Sequence, residues 1–259
     1  MIPGLERFRE FFNGFEEHYA LIGGVAAMQW LENADMKPRA TKDFDIVLII
    51  ENLDSRFLKR FWEFVKLGGY GNVQGSTGRR VYYRFTNPQR NGYPSMLEVF
   101  SRIPDGLGVS GAPAIVPIPA GDDASSLSAI LMDDDYYALV REHRDSFQGL
   151  PLLSPAGLIL LKAKAWLDLY MRAREGCHVD LGDIKKHRND VFRLALLLTQ
   201  ERTLAVPEAV HRDLREFLAN FPANSPDWTG IRQSSGAANR MPPPAELLGI
   251  LMRHYVSAT

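Results

Sequence analysis

The chain has 259 residues, 46% hydrophobic and 24% charged, with a net charge of −1. This suffices for one large core or two modest ones, and gives no global attraction to nucleic acid or an anionic membrane. A single cysteine, Cys177, excludes a disulfide framework and a multi-cysteine zinc site; with no membrane-length apolar run and no signal-like region at Met1, a cytoplasmic location off the membrane is expected.

Leu5, Phe8, Phe11, Phe12 and Phe15 recur at helical spacing and predict an amphipathic helix over 5–15. Residues 19–22 read as a strand, Gly23-Gly24 as a tight turn, 25–33 as a helix and 44–50 as a second strand. Asp54 is placed to cap a helix over 55–67, with Phe57, Leu58, Phe61, Trp62 and Val65 on its buried stripe and Gly68-Gly69 ending it. Val81, Tyr83 and Phe85 alternate along a strand over 80–85; a turn cluster follows at 87–92, then a strand over 95–100 carrying Glu98. The Gly-, Pro- and Ser-rich stretch 101–126 predicts an irregular surface excursion.

Residues 128–132 and 136–140 flank Asp133-Asp134-Asp135 as a hairpin whose turn is solvated, and 150–153 reads as a short strand. Ser154-Pro155 then starts a helix reaching Arg174, with Ser at the N-cap and Pro in the first turn. After a break at 176–182, Asp183 is expected to cap a helix to Leu198. Helices over 207–218 and 245–255 follow, separated by a polar loop over 222–244. The expected fold is α/β (α+β): a mixed sheet with flanking helices over 1–150, then an all-helical domain over 151–259 closing a cleft.

The chemistry concentrates in residues 19–50. A diglycine after a strand lets backbone N–H groups approach phosphate oxygens, and the helix behind it adds partial positive charge. Asp43 and Asp45 stand two apart on a strand, so their carboxylates share one face, about 6–7 Å apart at Cα. Glu98 lies inside the apolar run Met96-Leu97-Glu98-Val99-Phe100, where a carboxylate is costly unless paired, metal-bound or near solvent. Such acids supply the hard oxygens that divalent ions need in nucleotidyl transfer. Strand-edge aspartates and a solvent-facing Glu98 are the plain alternative; the diglycine, Arg39, Thr41 and the third acid together weigh against it.

Lys162 lies among apolar neighbours in a helix, where it wants an anion such as a triphosphate; the plain alternative is that it snorkels to the surface or pairs with Asp190 structurally. Asp190 can equally pair with Lys186 on its own helix. His187 reads as structural and Cys177 as inert. Tyr82/Tyr83 and Tyr136/Tyr137 read as strand packing. The six histidines show no metal-ligand spacing.

Leu21-Ile22-Gly23-Gly24, the run Arg39-Ala40-Thr41-Lys42-Asp43-Phe44-Asp45-Ile46, and Glu98 resemble the nucleotidyltransferase superfamily related to DNA polymerase beta. The Arg-x-Thr-x-Asp-x-Asp form is most similar to the AbiEii-like toxins of type IV toxin–antitoxin systems. The resemblance implies a nucleotidyltransferase-type sheet and transfer of a nucleoside monophosphate from a nucleoside triphosphate with Mg2+ or Mn2+. It implies Asp43, Asp45 and Glu98 as metal ligands and catalytic residues. Gly23, Gly24, Arg39, Thr41 and Lys164 are the implied nucleotide and phosphate contacts. Lys162 and Asp190 are the implied catalytic residues of the helical half, Lys162 with Ala165 fitting the family's lysine-alanine spacing better than Lys164. The implied acceptor is transfer RNA or a protein, and the implied partner an antitoxin protein. The alternative is an inactive nucleotide-binding or partner-binding module on the same fold.

Overall fold

The computed structural model describes residues 2–74, 80–103, 115–118, 127–199, 203–235 and 238–258. The chain divides into two compact units: Met1–Ala26 with Ala40–Leu153, and Ala27–Arg39 with Ser154–Thr259.

The first unit opens with α1 (Leu5–Phe11) and β1 (Tyr19–Ile22). β1 passes straight into α2 (Gly23–Asn33), whose residues from Ala27 onward group with the second unit. β2 (Asp43–Leu48), α3 (Ser55–Gly68), β3 (Gly71–Gln74), β4 (Arg80–Thr86) and β5 (Met96–Ser101) follow. Then come β6 (Ile115–Ile118), β7 (Leu127–Leu131), α4 (Asp134–Glu142), β8 (Arg144–Phe147) and β9 (Leu150–Leu153). Among the described residues these nine strands share one mixed sheet of order β3-β4-β7-β5-β2-β1-β9-β8, with β6 paired to β7 off that path. β2 runs antiparallel to β1 and parallel to β5.

Alternation along β2 decides which face of the sheet points inward. Phe44, Ile46 and Leu48 are buried, while Asp43 and Asp45 on the other face are half-buried. Phe44 stands beside Leu97 of β5, and Phe85 of β4 stands opposite the same leucine. Helices α1 and α3 cover this apolar face. The rings of Phe8 and Phe44 are 5.3 Å apart, and those of Phe61 and Phe85 are 5.7 Å apart. Each buried phenylalanine contributes about 1.5–3 kcal/mol, so this cluster dominates the choice of face. The Asp54 cap expected on α3 is present: its Oδ1 accepts the Phe57 N–H at 2.8 Å, and Gly69 closes the helix at φ 66°.

Several local expectations differ from the structure. β6 lies within the stretch read as an excursion; residues 104–114 and 119–126 of that stretch fall outside the described residues. The hairpin expected around Asp133-Asp134-Asp135 is not formed. Asp133 caps α4, accepting the Asp135 N–H at 3.0 Å, because acids suit a helix N-terminus as well as a turn. Tyr136 and Tyr137 are therefore buried on a helix rather than a strand. The side chain of Tyr82 lies outside what the structure describes. A tight hairpin forms instead at β8–β9, turned by Gln148 (φ 51°) and Gly149 (φ 77°).

The second unit holds α5 (Pro155–Arg174), α6 (Leu181–Leu194), β10 (Leu204–Val206), α7 (Glu208–Ala219), α8 (Asp227–Ser234), α9 (Pro244–His254) and β11 (Tyr255–Ser257). It is predominantly helical, with β10 and β11 joined in a short parallel ladder. Ser154 Oγ accepts the Gly157 N–H and Pro155 fills the first turn of α5, as expected. α6 is capped by Asp180 rather than Asp183. α8 occupies part of the stretch read as a polar loop. The unit's core stacks Trp166, Phe192, Phe217, Phe221 and Trp228. Among the described residues no helix is long and apolar enough to cross a membrane.

Glu51 ties α4 to the end of β2. Tyr137 O–H donates to Glu51 Oε2 at 2.6 Å and accepts the Ile50 N–H at 2.8 Å, while Arg102 and Arg141 both reach Glu51 Oε1. Burial pushes the Glu51 carboxyl up, but the Tyr137 and Arg102 hydrogen bonds outweigh it and hold it below its usual 4.5. A depressed carboxyl stabilises the fold above its unfolded pKa, and that contribution is lost as pH falls through the folded value. Glu51→Gln should therefore melt below wild type at pH 7, with the gap closing as pH drops under 4.5 in thermal melts.

Candidate active site

β2 turns Asp43 and Asp45 away from α1 and α3. In the parallel β2–β5 ladder, Asp45 stands directly beside Glu98. Adjacent strands lie ~4.8 Å apart, so Asp45 and Glu98 are neighbours and Asp43 sits one pleat repeat along the same face. β4 adds a residue that the sequence reading missed. Arg84 stands opposite Glu98 in the antiparallel β4–β5 ladder, and its Nε–H donates to Glu98 Oε1 at 2.6 Å. Arg84 Nη2 reaches the same oxygen, and the Glu98 side chain is only 13% exposed. The alternation of Tyr83, Arg84 and Phe85 marked Arg84 as facing away from the core. Its partner depended on register, which the sequence pattern does not carry.

The diglycine has an observed steric reason. Gly23 sits at φ 65° as the first residue of α2. A Cβ there would lie 1.7 Å from Asp45 Oδ2, and one on Gly24 would lie 2.6 Å from Thr41 Oγ1. The two glycines therefore make room for a carboxylate and a hydroxyl at the helix start, where the helix dipole favours an anion. Gly23, Gly24, Thr41, Asp43, Asp45 and Glu98 all come together within the first unit.

These donors suit a hard divalent cation. Mg2+ usually takes one or two carboxylates and completes its shell with water and substrate phosphates, and Asp43 with Asp45 is such a pair. Among the described residues no group of three or more His, Cys, Asp or Glu is arranged to hold a metal ion alone. Glu98, expected as a third ligand, instead has its Oε1 engaged by Arg84.

Arg39, Lys162, Lys164 and Asp190 belong to the second unit. Lys162 Nζ on α5 lies 3.2 Å from Asp190 Oδ2 on α6, with the side chains 6% and 9% exposed. Lys186 pairs with Asp183 at 3.6 Å instead of Asp190. Arg193, also missed in the sequence, is buried nearby; it donates through Nη2 to the Ser234 carbonyl, and its Nε has no partner among the described residues. Burial pushes Arg193 down against the pull of Asp190. Burial, with Lys162 and Lys186 adding to it, pushes His187 down to about 3, so its imidazole is neutral. Arg39 lowers both groups. Lys162 and Arg193 thus both act on Asp190, with Arg39 acting on Arg193 and His187, a cationic field that suits an anionic group such as a phosphate. Lys164 differs. Its Nζ lies 3.3 Å from Asp168 and 3.5 Å from Asp213; burial pulls it down, and the two carboxylates outweigh that and raise it. A lysine held by two carboxylates is poorly placed to receive a phosphate.

Removing one partner of a buried ion pair costs about 3–5 kcal/mol, whereas replacing both by apolar residues is close to neutral. Asp190→Ala, which strands both Lys162 and Arg193, should therefore lower unfolding stability in denaturant more than the double variant Lys162→Met/Asp190→Leu, which strands Arg193 alone.

No protein-family model matches the chain, and no curated protein matches it. It is similar to a solved structure described as an antigenic nucleotidyltransferase-like protein from Paracoccidioides brasiliensis, with a TM-score of 0.46 and 17% identity, covering 88% of this chain and 89% of that one.

Proposed function

We propose that the chain is a metal-dependent nucleotidyltransferase, moving a nucleoside monophosphate from a nucleoside triphosphate to an acceptor hydroxyl. The observation that carries this reading is the in-register pairing of Asp45 with Glu98, beside Asp43 and against the start of α2. Asp43 and Asp45 would hold Mg2+ or Mn2+, which neutralises phosphate charge when bound. The α2 N-terminus at Gly24 and the Thr41 hydroxyl bind phosphate oxygens. The acceptor oxygen attacks the α-phosphorus, its proton passes to Glu98, and pyrophosphate leaves. Arg84 orients Glu98 through Oε1, which keeps Oε2 for the proton.

The spelling Arg39-x-Thr41-x-Asp43-x-Asp45 supports a narrower reading: a toxin of a type IV system, acting on transfer RNA or a protein and held by an antitoxin. One observation favours a different reading. The Arg84–Glu98 pair engages the third acid, as a nucleotide-binding module without turnover would tolerate.

The test incubates the chain with labelled nucleoside triphosphates, total RNA and protein, and Mg2+ or Mn2+. Label should transfer with wild type and fall by about 100-fold or more in Asp43→Asn/Asp45→Asn. Nucleotide binding without transfer by wild type would favour the module, and equal transfer by both proteins would contradict catalysis. Growth arrest of a bacterial host by wild type but not by the double variant supports the toxin reading.

A further inference from the structure

A cavity of about 470 Å³ opens between α5, α6 and the α7–α8 connection, wholly within the second unit. Its volume is that of a small-molecule site. Helix spacing builds its walls. Trp166, Tyr170 and Arg174 succeed one another at i, i+4 on α5 and share one face. Leu181, Ile184, Lys185 and Arg188 share one face of α6 at i, i+3 and i, i+4 spacing. Asn220 and Phe221, just after α7, and Asp227 at the start of α8 add to the lining.

One wall is a fixed aromatic platform. Trp166 and Tyr170 stack at 4.6 Å and 14°, and Phe221 meets Trp166 edge-on at 5.1 Å. Leu181 stays 66% exposed, so apolar surface remains open to a ligand. The other wall is cationic. The lining's carboxylate, Asp227, accepts from Arg188 Nη1 at 2.6 Å and is already neutralised. Arg174 and Lys185 are exposed, and neither makes an ion pair among the described residues. Asn220 donates through Nδ2 to the Glu216 carbonyl at 2.8 Å, which leaves its Oδ1 as an acceptor.

An aromatic shelf, two unneutralised cations and an amide acceptor complement a planar base carrying a phosphate. We propose that this cavity binds a nucleoside monophosphate unit, with the base against Tyr170 and Leu181, its amino edge at Asn220, and the phosphate between Arg174 and Lys185. The unit is a free nucleotide or one residue of a single-stranded RNA, which share this chemistry. Its lining belongs to the second unit and the carboxylate face to the first, and the proposal stands whether or not that face is catalytic.

The experiment titrates the full chain with each of the four ribonucleoside 5′-monophosphates, following tryptophan fluorescence and calorimetry. Binding of at least one is expected. Its affinity should fall tenfold or more in Arg174→Glu/Lys185→Glu, and likewise in Tyr170→Leu, with unchanged melting temperatures showing intact folds. The matching nucleoside and ribose 5-phosphate should each bind at least tenfold more weakly than the intact nucleotide. Tighter binding of a short single-stranded RNA identifies nucleic acid as the source, and equal binding identifies the free nucleotide; both support the site. Asp43→Asn/Asp45→Asn should bind as wild type does. No binding of any monophosphate, binding indifferent to the cavity variants, or binding lost only in the aspartate variant would overturn the proposal.

Discussion

The register of β2 is the constraint on which the first unit depends. Side chains alternate along a strand, so a slip of one residue would exchange the two faces. Phe44 and Ile46 would leave the aromatic layer of α1 and α3, and Asp43 and Asp45 would be driven into it. The apolar ladder therefore sets the position of the acids: Phe44 beside Leu97 and Ile46 beside Val99 leave Asp45 beside Glu98. The core and the candidate site are two sides of one alignment, and neither can shift without the other.

Gathering three carboxylates carries an electrostatic cost, and the surroundings answer it locally. Arg84 meets Glu98 from the next strand, and the N-terminus of α2 meets Asp45 across Gly23. The second unit solves the opposite problem. Lys162 and Arg193 are buried cations that share Asp190, while His187 stays neutral because burial and two lysines oppose its proton. In both units polar groups are admitted to low-exposure positions as members of a network.

What the sequence made legible follows from the range of the signal. The period-2 pattern Asp43-Phe44-Asp45-Ile46 reports a half-buried strand from four adjacent residues, and the Asp54 and Ser154 caps report helix starts from a single turn. Asp133-Asp134-Asp135 misled because the same acids serve turns and N-caps, and the following Tyr-Tyr pair suits either element. α8 was hidden by a polar, proline-flanked composition. Arg84 and Arg193 were invisible as site residues because their hydrogen-bond partners lie on other elements: the Arg84–Glu98 contact exists only once β4 and β5 are in register, and the Arg193–Ser234 contact only once α8 packs against α6. Lys162 was legible as a lysine in need of an anion, and the structure supplies Asp190 in that role.

The central claim is that Asp43 and Asp45 form the metal-binding half of a nucleotide site. Electron paramagnetic resonance of Mn2+ titrated into the chain with a non-hydrolysable nucleoside triphosphate tests it most directly. The account predicts that wild type removes free Mn2+ signal in a nucleotide-dependent way, and that Asp43→Asn and Asp45→Asn each abolish this while Lys164→Met does not. Equal Mn2+ binding by wild type and both aspartate variants would contradict it.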